Sequence, residues 1–208
     1  ATIETFERAL GAIGVDAGGR VVSSATAVAD LVRPMERVLV CGGPGVRESM
    51  ALSGARIVPA DTQPDRIDAV VVGYHRDFDY EVMARATRAV LAGARLIATN
   101  DDPIYPSADG SLPGCGAILA GIERATGQRA VVAGKPHDPM ARVLRRRHDH
   151  AVFVGDSLGT DRKMADRLGW PFGLVLSGNV ARAEVPADIE PEWVADDLRG
   201  LVDRQLAG

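Results

Sequence analysis

Ala151-Val152-Phe153-Val154-Gly155-Asp156-Ser157-Leu158-Gly159-Thr160-Asp161 decides the fold class. Four apolar residues in a row predict a central strand of a parallel sheet. Gly155 turns the chain, and Asp156 then falls at the carboxyl end of the strand, where open α/β sheets bind ligands. A carboxylate there suits a hard cation such as Mg2+, which keeps several waters and bridges to phosphate oxygens. Asp161, five residues on, falls near the start of a helix ending at Leu168-Gly169, where it can orient the groups around such an ion or cap the helix. An aspartate after a strand is also a common turn or cap residue, so this stretch alone leaves both roles open.

Immediately upstream, Val131-Val132-Ala133-Gly134-Lys135-Pro136 places a lysine just past a second strand and before a proline-started helix. Its ammonium is predicted to reach the same sheet edge as Asp156, where a compact cation would neutralise phosphate oxygens and crowded carboxylates. It is not a Walker loop, because Pro136 stands where Ser or Thr is required and no glycine lies five residues before Gly134.

Helical and strand patterns alternate along the rest of the chain, the form taken by βα units stacked on a largely parallel sheet. Ile3, Phe6, Leu10 and Ile13 recur at helical spacing and end at Gly14. Val38 to Cys41, Ala69 to Val72, Leu96 to Thr99 and Ala130 to Ala133 are predicted strands. Pro44 begins a helix that Gly54 stops, Asp79 caps another closed by Gly93, Ile118, Leu119, Ile122 and Ala125 form the face of a third, and Asp138-Pro139 starts a fourth. The segment from Asn100 to Gly116, rich in proline and glycine, is predicted to be a long turn-rich loop.

With 208 residues, 46% hydrophobic and 25% charged, the chain can bury a substantial core and needs no staples. A net charge of −4 excludes a broad electrostatic attraction to nucleic acid or an anionic membrane. Cys41 and Cys115 have no C-x-x-C spacing, which argues against a disulfide framework or thiolate zinc site and favours a reducing cytoplasm. Neither a long apolar run nor a leader pattern at Ala1-Thr2-Ile3-Glu4 is present, so a membrane-spanning or secreted chain is not expected.

Taken together, strand–Gly134-Lys135-Pro136–helix followed by strand–Gly155-Asp156-x-x-x-Thr160-Asp161–helix resembles motifs three and four of haloacid dehalogenase phosphatases. The resemblance continues through Val22-Ser23-Ser24-Ala25, Val71-Val72-Gly73, Ile97-Ala98-Thr99-Asn100-Asp101-Asp102, Pro113-Gly114-Cys115-Gly116-Ala117, Gly121 to Gly127 and Leu176-Ser177-Gly178-Asn179, all similar to the class IIA branch with a large α/β cap. It implies a Rossmann-like parallel-sheet core from residues 1–35 and 132–208, interrupted by an α/β cap over 36–131. It further implies Mg2+-dependent hydrolysis of a small phosphorylated metabolite through an aspartyl-phosphate. Asp156 would be the Mg2+ ligand, Asp161 would support the site, and Lys135 would hold phosphate and nucleophile. Asn100 and Asp102, on the cap, would touch substrate. Caps of this class often mediate dimers, so a homodimer is one expected assembly.

The family's nucleophile lies in an Asp-x-Asp-Gly motif, which these 208 residues lack. Gly14-Val15-Asp16-Ala17-Gly18-Gly19 imitates it without the second carboxylate and follows a helical pattern. The resemblance therefore implies a longer chain with additional residues ahead of Ala1, and no turnover by this stretch alone. One rival is a non-catalytic member that binds a phosphometabolite or a partner. Another is a nucleotide-dependent oxidoreductase using Cys41-Gly42-Gly43-Pro44-Gly45, although that turn is not G-x-G-x-x-G and suits a simple cap turn. His148-Asp149-His150 has no third ligand near it in sequence and is expected to be a solvated connection. His75 and His137 receive no role.

Overall fold

Strands buried on both faces need helices on both faces, and the alternating pattern supplies them. The computed structural model describes residues 1–107, 109–178, 185 and 193–205. It divides the chain into two compact units, Ala1–Gly134 and Lys135–Gly208.

The first unit begins with α1 (Ile3–Ala12), capped by Thr2, and α2 (Ser24–Ala29), where Ser23 and Thr26 form a capping box. Then follow β1 (Arg37–Cys41), α3 (Pro44–Leu52), β2 (Arg56–Ile57), β3 (Ala69–Val72), α4 (Tyr80–Leu91) and β4 (Arg95–Ala98). The unit closes with β5 (Ile104–Ser107), β6 (Gly110–Pro113), α5 (Cys115–Thr126) and β7 (Val131–Val132). Five of these strands form a parallel sheet in the order β2-β1-β3-β4-β7. From β1 the chain steps through α3 to β2 on one side. From β3 it steps the other way, through α4 and α5, so the loops leaving β1 and β3 part in opposite directions.

Leu39, Val70, Val72 and Leu96 pack beneath Ala86, Ala89 and Val90 of α4 and Leu119 and Ile122 of α5, while α3 packs on β1, on β2 and against α2. The Asp79 side chain accepts from Val82 N at 2.8 Å, and Gly54 and Gly93 take positive φ past their helices. At the opposite end of the strands Arg37 forks onto Asp68, with Nε to Oδ2 at 3.1 Å and a terminal nitrogen to Oδ1 at 2.8 Å. That fork joins the start of β1 to the residue preceding β3.

The turn-rich loop expected over Asn100 to Gly116 is instead an antiparallel hairpin, with Tyr105 opposite Leu112 and Ser107 opposite Gly110. Most of its residues are exposed. Among the described residues it belongs to no larger sheet, so Pro106 and Pro113 interrupt no interior ladder there.

The second unit contains α6 (Asp138–Arg145), β8 (Phe153–Gly155), α7 (Lys163–Leu168), β9 (Phe172–Val175), β10 (Val194–Ala195) and α8 (Leu198–Gln205). Its parallel sheet runs β10-β9-β8. The strand predicted to be central is here shorter and half-buried, and it lies at the edge of this three-stranded sheet among the described residues. The family-like stretch Leu176-Ser177-Gly178 forms a turn directly after β9, and Asn179 is outside the described residues. No helix among those described is long and apolar enough to cross a membrane.

Two stability measurements follow. Asp79→Ala leaves the Val82 N–H without its cap and should cost about 1 kcal/mol in urea unfolding. The Arg37 side chain, aided by its backbone N–H, holds the Asp68 carboxyl down at about 2. A depressed carboxyl stabilises the fold fully above the ordinary carboxylate range and loses that contribution as the pH falls through its folded value. The pair is partly exposed and screened, so Asp68→Asn should lower stability modestly above about pH 4, and the gap from the parent should close towards about pH 2.

Candidate functional site

In the second unit, Gly155 ends β8 and the chain enters a wide helical turn, Leu158–Arg162, that runs directly into α7. Ser157 starts the turn, its hydroxyl accepting from Thr160 N at 3.3 Å. This turn carries Asp161 back beneath the end of β8, placing it within the turn itself rather than at the cap of α7. A Cβ at position 155 would overlap the Asp161 carboxylate, so glycine is required where strand and turn cross.

Asp161 is the only charged residue among the described buried ones, with its side chain 4% exposed. Its two oxygens are divided between separate elements. Oδ1 accepts from Lys135 Nζ at 2.6 Å. Oδ2 accepts from the backbone N–H groups of Asp156 and Ser157, both at 3.2 Å. A single carboxylate therefore bridges the segment before α6 and the turn after β8. Such a carboxylate needs a paired charge and several donors to be buried at tolerable cost, and here it has both. The Lys135 side chain remains 44% exposed, so its ammonium is anchored on one side and open to solvent on another.

The Asp156 carboxylate is half-buried and lies against Gly178, where a Cβ would overlap it. Lys135, Asp156 and Asp161 are thus brought together within one unit. The chemistry they present is a cation, a hard-oxygen donor and a buried carboxylate that sets the position of both. Nothing in the sequence marked Gly178 as the wall behind Asp156 or Ser157 as the start of the turn. The only sequence signal was the Ser-x-x-Thr spacing of a cap.

Asn100 and Asp102 lie in the first unit, at the exit of β4. Asn100 Nδ2 donates to Asp102 Oδ2, and Thr99 Oγ1 lies 3.2 Å from Asn100 Oδ1. Gly116 N donates to Asp102 O at 2.8 Å, and a Cβ at Gly114 or Gly116 would overlap the Asp101 and Asp102 carbonyls. These glycines close a tight turn that fixes Asn100 and Asp102. Beside it Tyr74 and Tyr105 stack with ring centroids 4.3 Å apart, a pair that no local pattern announced.

The remaining candidates resolve into structure. No cluster of three or more His, Cys, Asp or Glu able to hold a metal ion occurs among the described residues, His148-Asp149-His150 included. Asp149 instead accepts from the Trp170 indole N–H through its carbonyl. Cys41 and Cys115 are buried thiols, and burial pushes Cys41 up to about 12 and raises Cys115 as well. In the Cys41 to Gly45 turn, a Cβ at Gly45 would overlap the backbone of Ala1. That glycine makes room for the protein's own chain.

A HAD-hydrolase-like family model matches residues 132–201. The chain is similar to D-glycerol 3-phosphate phosphatase of Mycobacterium tuberculosis, 37% identical over 88% of this chain and 54% of that protein. It is also similar to the ribonucleotide monophosphatase NagD of Escherichia coli, 33% identical over 87% of this chain and 72% of that protein. Among solved structures, a glycerol phosphate phosphatase from M. tuberculosis in complex with magnesium superimposes with a TM-score of 0.79. The two are 36% identical, over 88% of this chain and 58% of that one. The chain thus spans about half the length of the mycobacterial phosphatase.

Replacing Asp161 with Ala would leave the Lys135 ammonium and two backbone N–H groups without their acceptor. Urea unfolding should show a loss of about 2–4 kcal/mol. In a double-mutant cycle with Lys135→Met, the two losses should be clearly non-additive; additive losses would show that the two groups do not act as a pair.

Proposed function

The chain belongs to the haloacid dehalogenase-like hydrolase family, and we propose on that premise that the protein hydrolyses a small phosphate monoester with Mg2+ as cofactor. The observation that carries the reading is the Asp161 carboxylate, which holds the Lys135 ammonium and the Asp156 turn on its two oxygens. The relatives act, by their names, on glycerol phosphate and ribonucleotide monophosphates, and a dihydroxyacetone phosphatase is 32% identical over 68% of its own length. Those compounds share a single phosphate on a small polar body, and that is the substrate class proposed here.

In this reading Lys135 grips phosphate oxygens through its solvent-facing side, and Asp161 keeps the ammonium aimed. Asp156 fits Mg2+ as one hard oxygen ligand, since this ion is commonly held by one or two carboxylates with waters and substrate phosphate completing the shell. Asp161 is already committed to three donors and acts as a positioning residue. A bound Mg2+ would supply charge neutralisation at the phosphoryl oxygens. The aspartyl-phosphate route takes its nucleophile from an Asp-x-Asp-Gly turn. The one Asp-x-Asp here, Asp77-Phe78-Asp79, is followed by Tyr80 and serves as a helix cap. This stretch alone is therefore expected to give no turnover.

For the whole protein we assign residues 1–35 and 132–208 to the core and 36–131 to the cap, with Asn100 and Asp102 as the cap's substrate contacts. A cytoplasmic setting accords with the free thiols of Cys41 and Cys115. The net charge of −4 accords with a small-molecule partner rather than nucleic acid or membrane.

The test is turnover of a chromogenic phosphate ester by the full-length protein with Mg2+. Lys135→Ala and Asp156→Asn should each lower kcat/KM by about a hundredfold or more, and chelation should abolish turnover. Undiminished rates in both variants would sink the assignment. Tight substrate binding without any turnover by the full-length protein would instead favour the non-catalytic phosphometabolite-binding reading.

A further inference from the structure

Open α/β sheets take ligands outside the carboxyl ends of their strands, where the order of the sheet reverses. In the first unit that place is between β1 and β3, and a cleft of about 320 Å³ lies there. Leu39 and Cys41 line it from β1, Val58 from the stretch after β2, and Val82 from α4. Its polar groups are Arg47 in α3, Arg85 in α4, and His75 and Asp77 after β3. All of them belong to Ala1–Gly134, and none belongs to the Lys135, Asp156 and Asp161 cluster.

Three observations point to a ligand. The His75 Nδ1 is buried and has no hydrogen-bond partner, the one such side-chain nitrogen or oxygen among the described residues. Buried polar atoms are nearly always paired, and the His75 ring also lines the cleft, so a ligand towards which the ring turned would complete the pairing. Arg47 and Arg85 have no carboxylate partner among the described residues. Both nevertheless stand close enough to the buried Cys41 thiol to oppose the upward push of its burial. Two guanidinia and an imidazole around one apolar floor form a set of donors for an anion.

We propose that this cleft is a second, non-catalytic site for a small organic phosphate. Its phosphate oxygens accept from Arg47, Arg85 and His75 Nδ1–H, and its apolar body lies on Leu39, Val58 and Val82. Asp77 disfavours a second negative group and suits a hydroxyl or amine. A contiguous cleft of about 280 Å³ that shares Leu39, Ala60 and Arg85 gives the body further room. The neighbouring glycines do not cradle the phosphate, since a Cβ at Gly42 would press on Val46 and one at Gly45 on Ala1. Side chains provide the grip.

The test uses the full-length protein in the presence of a chelator, titrated with phenylphosphonate, whose P–C bond a phosphomonoesterase does not cleave. Calorimetry should show saturable binding that is unchanged in Lys135→Ala and about tenfold weaker in Arg47→Gln and in Arg85→Gln. The His75 imidazole 15N resonances should move with the same saturation curve. Binding that is lost in Lys135→Ala yet intact in both arginine variants would overturn the proposal, because it would place the probe at the catalytic cluster. So would the absence of saturation at millimolar probe, or His75 resonances that do not move.

Discussion

A buried carboxylate must be satisfied on every side or it will not stay buried and charged, and Asp161 organises the second unit around that requirement. Its oxygens need donors, and the donors available are the ammonium of one βα connection and the backbone of another. Meeting that need fixes the path of the chain after β8, demands glycine at 155 and draws Lys135 in from the segment before α6. The exposed side of Lys135 and the carboxylate of Asp156 inherit their positions from this arrangement. The proposed chemistry therefore depends on a residue that touches neither phosphate nor metal.

Much of the architecture was legible because each local choice agreed with the whole. Val38 to Cys41 and Ala69 to Val72 are uninterrupted apolar runs, and strands covered on both faces take that form. Asp79, Gly54 and Gly93 were readable as stops and starts because cap chemistry is local. The hairpin at Ile104–Ser107 and Gly110–Pro113 was missed because its exposed strands carry no apolar alternation, and its prolines and glycines pointed to irregular chain. The strand at Phe153 was expected in the middle of a sheet from its apolarity, yet it borders a single partner among the described residues.

The candidate site was legible in part for the same reason. Glycine-lysine-proline and glycine-aspartate each mark a group at the carboxyl end of a strand, but the expected shared sheet edge does not hold, because β7 pairs with β4 and β8 with β9 in separate sheets. Their convergence on a third residue depends on the depth of Asp161, and burial is decided by tertiary packing that no spacing encodes. His75 shows the converse limit. Its sequence neighbours gave it no role, and only the enclosure of its ring nitrogen makes it conspicuous. Similarly, the glycines after β1 hinted at a nucleotide loop, whereas Gly45 is packed against the backbone of Ala1.

The contact between Gly178 and the Asp156 carboxylate has an evolutionary corollary. A single added methyl at 178 would crowd the proposed cation ligand from behind without altering any ligating atom. A substitution at this turn residue would therefore bear on the proposed cation ligand with every acidic residue unchanged. A comparison confined to the acidic residues would overlook the change that mattered.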